Sequence, residues 1–355
     1  MADYERTQAY REKLRNGEFD LGWMQAKSEW GVKATPSKRG LTLNDINVGS
    51  YGVIPEEVPD ARCFAPRGAD FNAAEMPSMG YSLNTRAEAW AENMGTLYEE
   101  AVARQWSSTR DIPWHTLQPL PKDIEHAMCQ LCTFFTEVEF IAGDVPGWWL
   151  SQINAAYHET KLFMATQIMD EARHLEVFRK RALANGGGLG KCPPEVEEGL
   201  KYIFDLRSFP QMLARLHLFG EGRVLTLFRL GELIAQNEVE KTIFRLCAQD
   251  EARHLAFGCL QLRYLIDQDP DRIEEIQEAL DIAEQRVLEL GATPEQVEPL
   301  LILLGGGVDK MQEGMEKFAF IRKKTVQEYL QRCHSIGIDR QERCLLKEAK
   351  EITLL

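Results

Sequence analysis

Met169-Asp170-Glu171-Ala172-Arg173-His174-Leu175 recurs 80 positions later as Gln249-Asp250-Glu251-Ala252-Arg253-His254-Leu255. The shared core, Asp-Glu-Ala-Arg-His-Leu, is six identical residues, and each copy sits inside a long pattern of helical period. A duplicated helical hairpin explains such a repeat. Each copy contains Glu-x-x-His. On a helix, positions i and i+3 lie on one face a turn apart. Glu171 with His174, and Glu251 with His254, therefore each aim a carboxylate and an imidazole at one spot. One such pair is a weak signal, because solvated helix faces carry many. Two identical pairs flanked by Phe163, Ile168, Phe178, Leu246 and Phe257 read as inward-facing.

Two helices of this kind facing each other supply two Glu and two His. One further Glu from each partner helix completes a cage of four carboxylates and two imidazoles, a donor set for a pair of metal ions in a helical bundle. Oxygen and imidazole donors suit iron or manganese. In the second half, Glu221 precedes Glu251 by 30 residues, the separation of a helix, a tight turn and a return helix, and it lies in an apolar stretch. In the first half, Glu137 and Glu139 precede Glu171 by 34 and 32 residues. They stand about 200° apart on a helix, so only one points inward. Glu139 is favoured and Glu137 held in reserve. The candidate metal set is thus Glu139, Glu171, His174, Glu221, Glu251 and His254. A metal-bound His donates its other ring N–H to a carboxylate or carbonyl. Asp170 is placed to do so for His254 and Asp250 for His174, with Arg173 and Arg253 balancing the buried charge. His217, one turn before Glu221, is either an extra ligand or a satisfied core histidine, and the second reading is preferred.

Working outward, helices are expected over 86–106, 121–143, 148–185, 194–204, 208–236, 238–264, 271–290, 294–304, 308–333 and 339–350. Pro113, Pro119 and Pro121 break the chain before the second of these, and Asp144-Val145-Pro146-Gly147 reads as a turn or kink. No strand-like alternation appears, so the class is all-α. Residues 1–85 are rich in Gly and Pro, with a short helix over 5–15, and read as an irregular N-terminal arm whose Trp23, Trp30, Tyr51 and Phe64 wrap a core. Residues 86–265 read as a four-helix bundle with a di-metal site, and 266–355 as a C-terminal helical extension. In that extension Met311, Met315 and Phe318 belong either to an interface or to ordinary packing on the bundle, and packing is preferred.

The chain has 355 residues, 44% apolar and 27% charged, with a net charge of −14. That charge argues against nucleic acid and anionic membranes as partners. No stretch reaches the roughly 18 apolar residues of a membrane helix, and no signal-peptide pattern is seen, so a cytoplasmic location is expected. Eight cysteines are too few for a disulfide framework. Cys129 and Cys132 form a CxxC in a helical apolar pattern without a second pair at zinc spacing, and read as two core thiols.

The set Glu139, Glu171-x-x-His174, Glu221 and Glu251-x-x-His254 resembles the ligand set of the ferritin-like superfamily. The doubled Asp-Glu-x-Arg-His, with Gly220-Glu221, resembles the hydroxylase subunits of bacterial multicomponent monooxygenases. Aspartate before each motif Glu is shared with the ribonucleotide reductase small subunit. The resemblance covers roughly 100–265. It implies a centre of two Fe ions, or Mn/Fe, that activates O₂ to oxygenate a small organic substrate. It also implies a homodimer, and an external electron donor such as a ferredoxin or a flavin reductase, because no flavin, haem or iron–sulfur motif is present. The alternatives are a di-iron N-oxygenase or oxidase, and a ferroxidase. Two departures stand out. Phe178 occupies the place of the reductase's radical tyrosine, which argues against a tyrosyl radical. The chain is also shorter than the large hydroxylase subunits. Cys247 stands where an N-oxygenase would carry an extra His ligand. An apolar substrate pocket is expected from Phe135, Phe178 and Leu255.

Overall fold

The computed structural model describes residues 4–59 and 63–347. Among these residues there are helices and isolated bridges but no strand. Helix α1 spans Tyr4–Arg15, α2 Arg86–Ala89 and α3 Met94–Ala103. Helices α4 (Lys122–Leu150), α5 (His158–Ala184), α6 (Pro194–Phe204) and α7 (Phe209–Met212) follow. A π-helix, Leu213–Glu221, leads into α8 (Gly222–Ile234) and α9 (Glu238–Gln268). The chain continues through α10 (Arg272–Leu290), α11 (Pro294–Gly305) and α12 (Met311–Ser335).

Four long rods form the bundle: α4, α5, the π-helix continued by α8, and α9, with α4 packed on α5 and α8 on α9. The repeat sets the geometry. On α5, Phe163 and Met164 enter one apolar cluster, the motif comes next, and Val177 and Phe178 enter a second. On α9 the order is reversed: Ile243, Phe244 and Cys247 join the second cluster, and Phe257 and Leu262 the first. The two motif helices are therefore antiparallel, and their charged turns meet between two apolar plugs. Phe163 stacks on Phe257 at 4.7 Å at one end. Phe135 packs on Phe178 and Phe228, both at 4.9 Å, at the other. Each fully buried aromatic ring stabilises the fold by about 1.5–3 kcal/mol.

Four local expectations change. The segment 144–147 is not a turn. α4 runs through it with Pro146 inside, and the chain breaks at 151–157 instead. Val145, Pro146 and Trp149 are all buried, so packing outweighs the lost backbone hydrogen bond. The helix expected over 86–106 is split by Asn93, a non-glycine residue with φ 67°. The helix expected over 208–236 holds the π-helix in its middle. Over 339–347 there are turns and a short 3-10 segment, Leu345–Lys347; the remainder of that expected helix lies outside the described residues.

The N-terminal stretch divides. Trp23, Trp30 and Phe64 are exposed rather than wrapped on a core. Later residues dock firmly. Val58 and Leu83 are buried, and Arg67 forms a buried ion pair with Glu159 while donating to Ala156 O at 2.8 Å. Cys129 and Cys132 are buried free thiols. Phe318 is buried, with α12 packed on α11. No described helix is long and apolar enough to cross a membrane.

Candidate metal centre

α4 supplies Glu139, α5 supplies Glu171 and His174, the π-helix supplies Glu221, and α9 supplies Glu251 and His254. All six are buried. They form two overlapping groups, Glu139–Glu171–His174–Glu251 and Glu171–Glu221–Glu251–His254, whose ligand-type atoms lie within 4.8 Å of one another. Glu171 and Glu251 belong to both. Glu171 Oε2 is 3.0 Å from His174 Nδ1 and its Oε1 is 2.9 Å from His254 Nδ1. Glu251 does the same, at 3.1 Å from His174 Nδ1 and 3.5 Å from His254 Nδ1. Two carboxylates thus span the pair of half-sites, and Glu139 and Glu221 each serve one.

Behind the histidines the aspartates cross over. Asp250 Oδ2 is 3.2 Å from His174 Nε2, and Asp170 Oδ2 is 3.3 Å from His254 Nε2. Arg173 pairs with Asp170 and, at 3.1 Å, with Asp250. Arg253 pairs with Asp250 and, at 3.3 Å, with Asp170. The arginines neutralise the aspartates and leave four glutamates for whatever lies between them.

Burial, then the charge of Glu171, lifts the Glu139 carboxyl well above the usual carboxylate range. Burial, then Glu251, does the same to Glu221. Burial also opposes ionisation of Glu251, but the adjacent His174 and His254 imidazoles outweigh it and hold that carboxyl below its usual value. Burial disfavours the imidazolium of His174, yet Cys247 and Asp250 raise its pKa well above the ordinary value. For His254, Glu171 and Asp170 likewise overcome burial. Protons shared in this way are what a cation displaces on binding.

The donor atoms themselves test the fit. Glu139 Oε1, Glu171 Oε1, both Glu251 oxygens and His254 Nδ1 are buried with no hydrogen-bond partner. Several approach one another closely, as Glu171 Oε1 and His254 Nδ1 do, without hydrogen-bond alignment. Unpaired buried polar atoms are costly. Atoms that converge on a common point instead of on each other suit shared dications, and four carboxylates match the charge of two.

Glu137 lies outside both groups. It is buried on the other flank of α4, where desolvation raises its carboxyl and Cys192 is its neighbour. His217 is also outside them. Its Nε2 meets Gln167 Oε1 at 3.0 Å, and Gln167 donates to Glu221 Oε1 at 3.3 Å. Burial, then His254, pushes its pKa down to about 3, so it is a neutral donor in that chain. Leu255, Phe135 and Phe178 are buried. The two phenylalanines pack into the aromatic plug and do not line an open pocket.

Two contributors gave no sequence signal. Trp106 Nε1 donates to Asp250 Oδ2 at 2.7 Å, and Gln105 donates to Asp170 Oδ1 at 3.2 Å while accepting from Arg173. Both lie in an irregular stretch just past α3, although the expected helix ran to 106, so helical spacing could not show that they face the centre. The repeat also hides an asymmetry. Gln167 and Cys247 hold equivalent places, one turn before each motif Glu, so one half-site faces an amide and the other a thiol.

No family model and no curated protein matches the chain. Solved structures do. An R2-like ligand-binding oxidase with an aerobically reconstituted metal cofactor after photoconversion matches with 19% identity and TM-score 0.54, over 70% of this chain and 94% of that one. A point variant of such an oxidase with an anaerobically reconstituted Mn/Fe cofactor matches with 20% identity and TM-score 0.53 over the same shares. The chain has the fold of the R2-like ligand-binding oxidases. At this identity the likeness speaks for the ferritin-like architecture alone.

Proposed function

We propose that this protein is an O₂-activating oxidoreductase of the monooxygenase type. Glu139, Glu171, His174, Glu221, Glu251 and His254 would hold two Fe ions, or Mn/Fe as in the oxidases it resembles in fold. One observation carries the reading: two Glu-x-x-His turns face each other across a buried centre in which Glu139 Oε1, Glu171 Oε1, both Glu251 oxygens and His254 Nδ1 have no hydrogen-bond partner. Such ions, when bound, supply the electrons and Lewis acidity for O₂ reduction that no side chain here provides. The chain's residues do the rest. Glu171 and Glu251 span the half-sites, and Asp170 and Asp250 fix each imidazole so that Nδ1 faces the centre. Phe135, Phe178, Phe228 and Phe244 exclude water from one end. Substrate is a small organic molecule, electrons come from an external ferredoxin or flavin reductase, and the assembly is a homodimer in the cytoplasm.

The test is metal content per chain by elemental mass spectrometry, followed by anaerobic reduction and O₂ exposure under an absorbance probe. About two transition metals per chain, with O₂ consumed in proportion to added reductant, is the expected result. No metal after reconstitution sinks the reading. Rapid ferrous oxidation with iron retained in a large cage would instead favour a ferroxidase.

A further inference from the structure

We infer that the cavity between α4, α6, the π-helix and α10 binds a small organic acid, with its carboxylate on Arg215 and its apolar body against Phe219, Val138 and Leu200. The cavity measures about 170 Å³. A void of that order holds a single aromatic ring. Its walls carry three arginines, Arg215, Arg223 and Arg286, against one carboxylate, Glu195.

Arg215 is the decisive group. It is 4% exposed. Its Nε donates to Ala279 O at 3.1 Å, and its guanidinium lies 4.3 Å from the Tyr202 ring centroid. Among the described residues no carboxylate lies within salt-bridge distance of it. The contrast with Arg286 is direct. That residue stacks on the same ring at 5.2 Å, but it faces Glu198 at 3.8 Å and Glu289 at 3.5 Å. A buried guanidinium without a counter-ion is costly, and burial lowers the pKa of Arg215 accordingly. A ligand carboxylate seated in the cavity supplies the missing charge in the fork geometry that arginine favours.

The position fits a substrate. Val138 immediately precedes Glu139, and Gly220 immediately precedes Glu221. Both line the cavity. The pocket therefore lies behind the seam where α4 and the π-helix deliver the two non-spanning glutamates. Naming the ligand a substrate rests on the oxygenase reading; the binding site itself does not.

The experiment is calorimetric titration of the full-length protein, metal-free and metal-loaded, with benzoate and with its neutral isostere benzamide. Benzoate should bind at least about tenfold more tightly. Arg215→Gln should erase that preference, and Val138→Phe, which fills the cavity, should weaken both ligands while leaving Arg215 in place. Circular dichroism checks that each variant folds; if Arg215→Gln does not, Val138→Phe decides. Equal affinity for the two probes, no binding of either, or benzoate binding unchanged in a folded Arg215→Gln or Val138→Phe protein overturns the site. Metal loading with O₂ uptake but no benzoate binding sinks this inference alone. Benzoate binding in a protein that never loads metal keeps the site and sinks the oxygenase reading.

Discussion

Asp250 lies 3.2 Å from His174 Nε2, although the two residues belong to different copies of the repeat. The reciprocal pair, Asp170 and His254, closes the exchange at 3.3 Å. Each motif therefore carries a Glu and a His for the centre and an Asp for its partner. Six consecutive residues do three jobs on a helix because the Asp points about 100° away from the Glu. Asp250 also accepts from Trp106 and pairs with both arginines. Asp250→Asn keeps the shape but can present an N–H where His174 needs an acceptor. It should lower metal affinity about 10–100-fold, read by chelator competition. Asp250→Ala should cost about 3–5 kcal/mol in addition, because it strands buried cations. Wild-type affinity in the Asn variant would show that the pair does not orient the histidine.

Glu139 and Glu137 separate two faces of one helix. Glu171→Ala or Glu251→Ala should abolish metal loading without unfolding the chain, since each serves both half-sites. Glu139→Gln should cut the stoichiometry from about two toward about one, and Glu137→Gln should leave it at about two. Elemental mass spectrometry with circular dichroism reads all four. Full occupancy in the Glu171 and Glu251 variants would remove the ligand assignment.

The sequence showed the motif helices plainly because the repeat doubles every signal and its flanks are apolar. It could not decide between Glu137 and Glu139, and the structure shows why. Both are buried, since α6 covers the outer flank of α4, so apolar context marked both positions. The π-helix was illegible because a nine-residue stretch of wider turns leaves the apolar pattern nearly unchanged while rotating the residues after it. Trp106 and Gln105 reach the centre from an irregular stretch whose path is fixed by tertiary contact. Pro146 was read as a break because local propensity says so. Buried Val145 and Trp149 overrule it.

Proton competition gives the centre a pH signature. Glu139, Glu221, His174 and His254 are all raised in the folded, metal-free protein. Each then binds protons more tightly folded than unfolded. Their contribution to metal-free stability is full below the unfolded values and is lost as pH rises through the folded ones. Glu251, Asp170 and Asp250 are lowered. They are ionised throughout the neutral range and do not alter the trend there. Metal needs the deprotonated forms, so the rise in Tm on adding ferrous or manganous ion should be larger at about pH 8 than at about pH 6, with protons released on binding. Calorimetry in two buffers of different ionisation enthalpy counts those protons. A pH-independent shift in Tm would contradict the shared-proton picture.

Gly258 tests whether the π-helix positions Glu221. The repeat puts Gly258 where the other copy has Phe178, and the reason is His217. A Cβ built on Gly258 would lie 2.2 Å from His217 Cβ and 3.0 Å from its Cγ. His217 is fully buried, and through Gln167 it reaches Glu221. The methyl of Gly258→Ala has no flexible side-chain end to push aside, so the π-helix itself must move off α9. Overpacking of this kind costs about 1–3 kcal/mol, against about 1 kcal/mol gained from helix propensity. A net loss of up to about 2 kcal/mol is expected, with Tm lowered by up to a few degrees. Because Glu221 ends the displaced segment, metal stoichiometry should fall toward one. Gly147→Ala is the control: its added Cβ meets only Ile168 Cδ1, at 4.0 Å, and should leave Tm unchanged or raise it. If Gly258→Ala kept both wild-type Tm and two metals, the contact with His217 would have no part in placing Glu221.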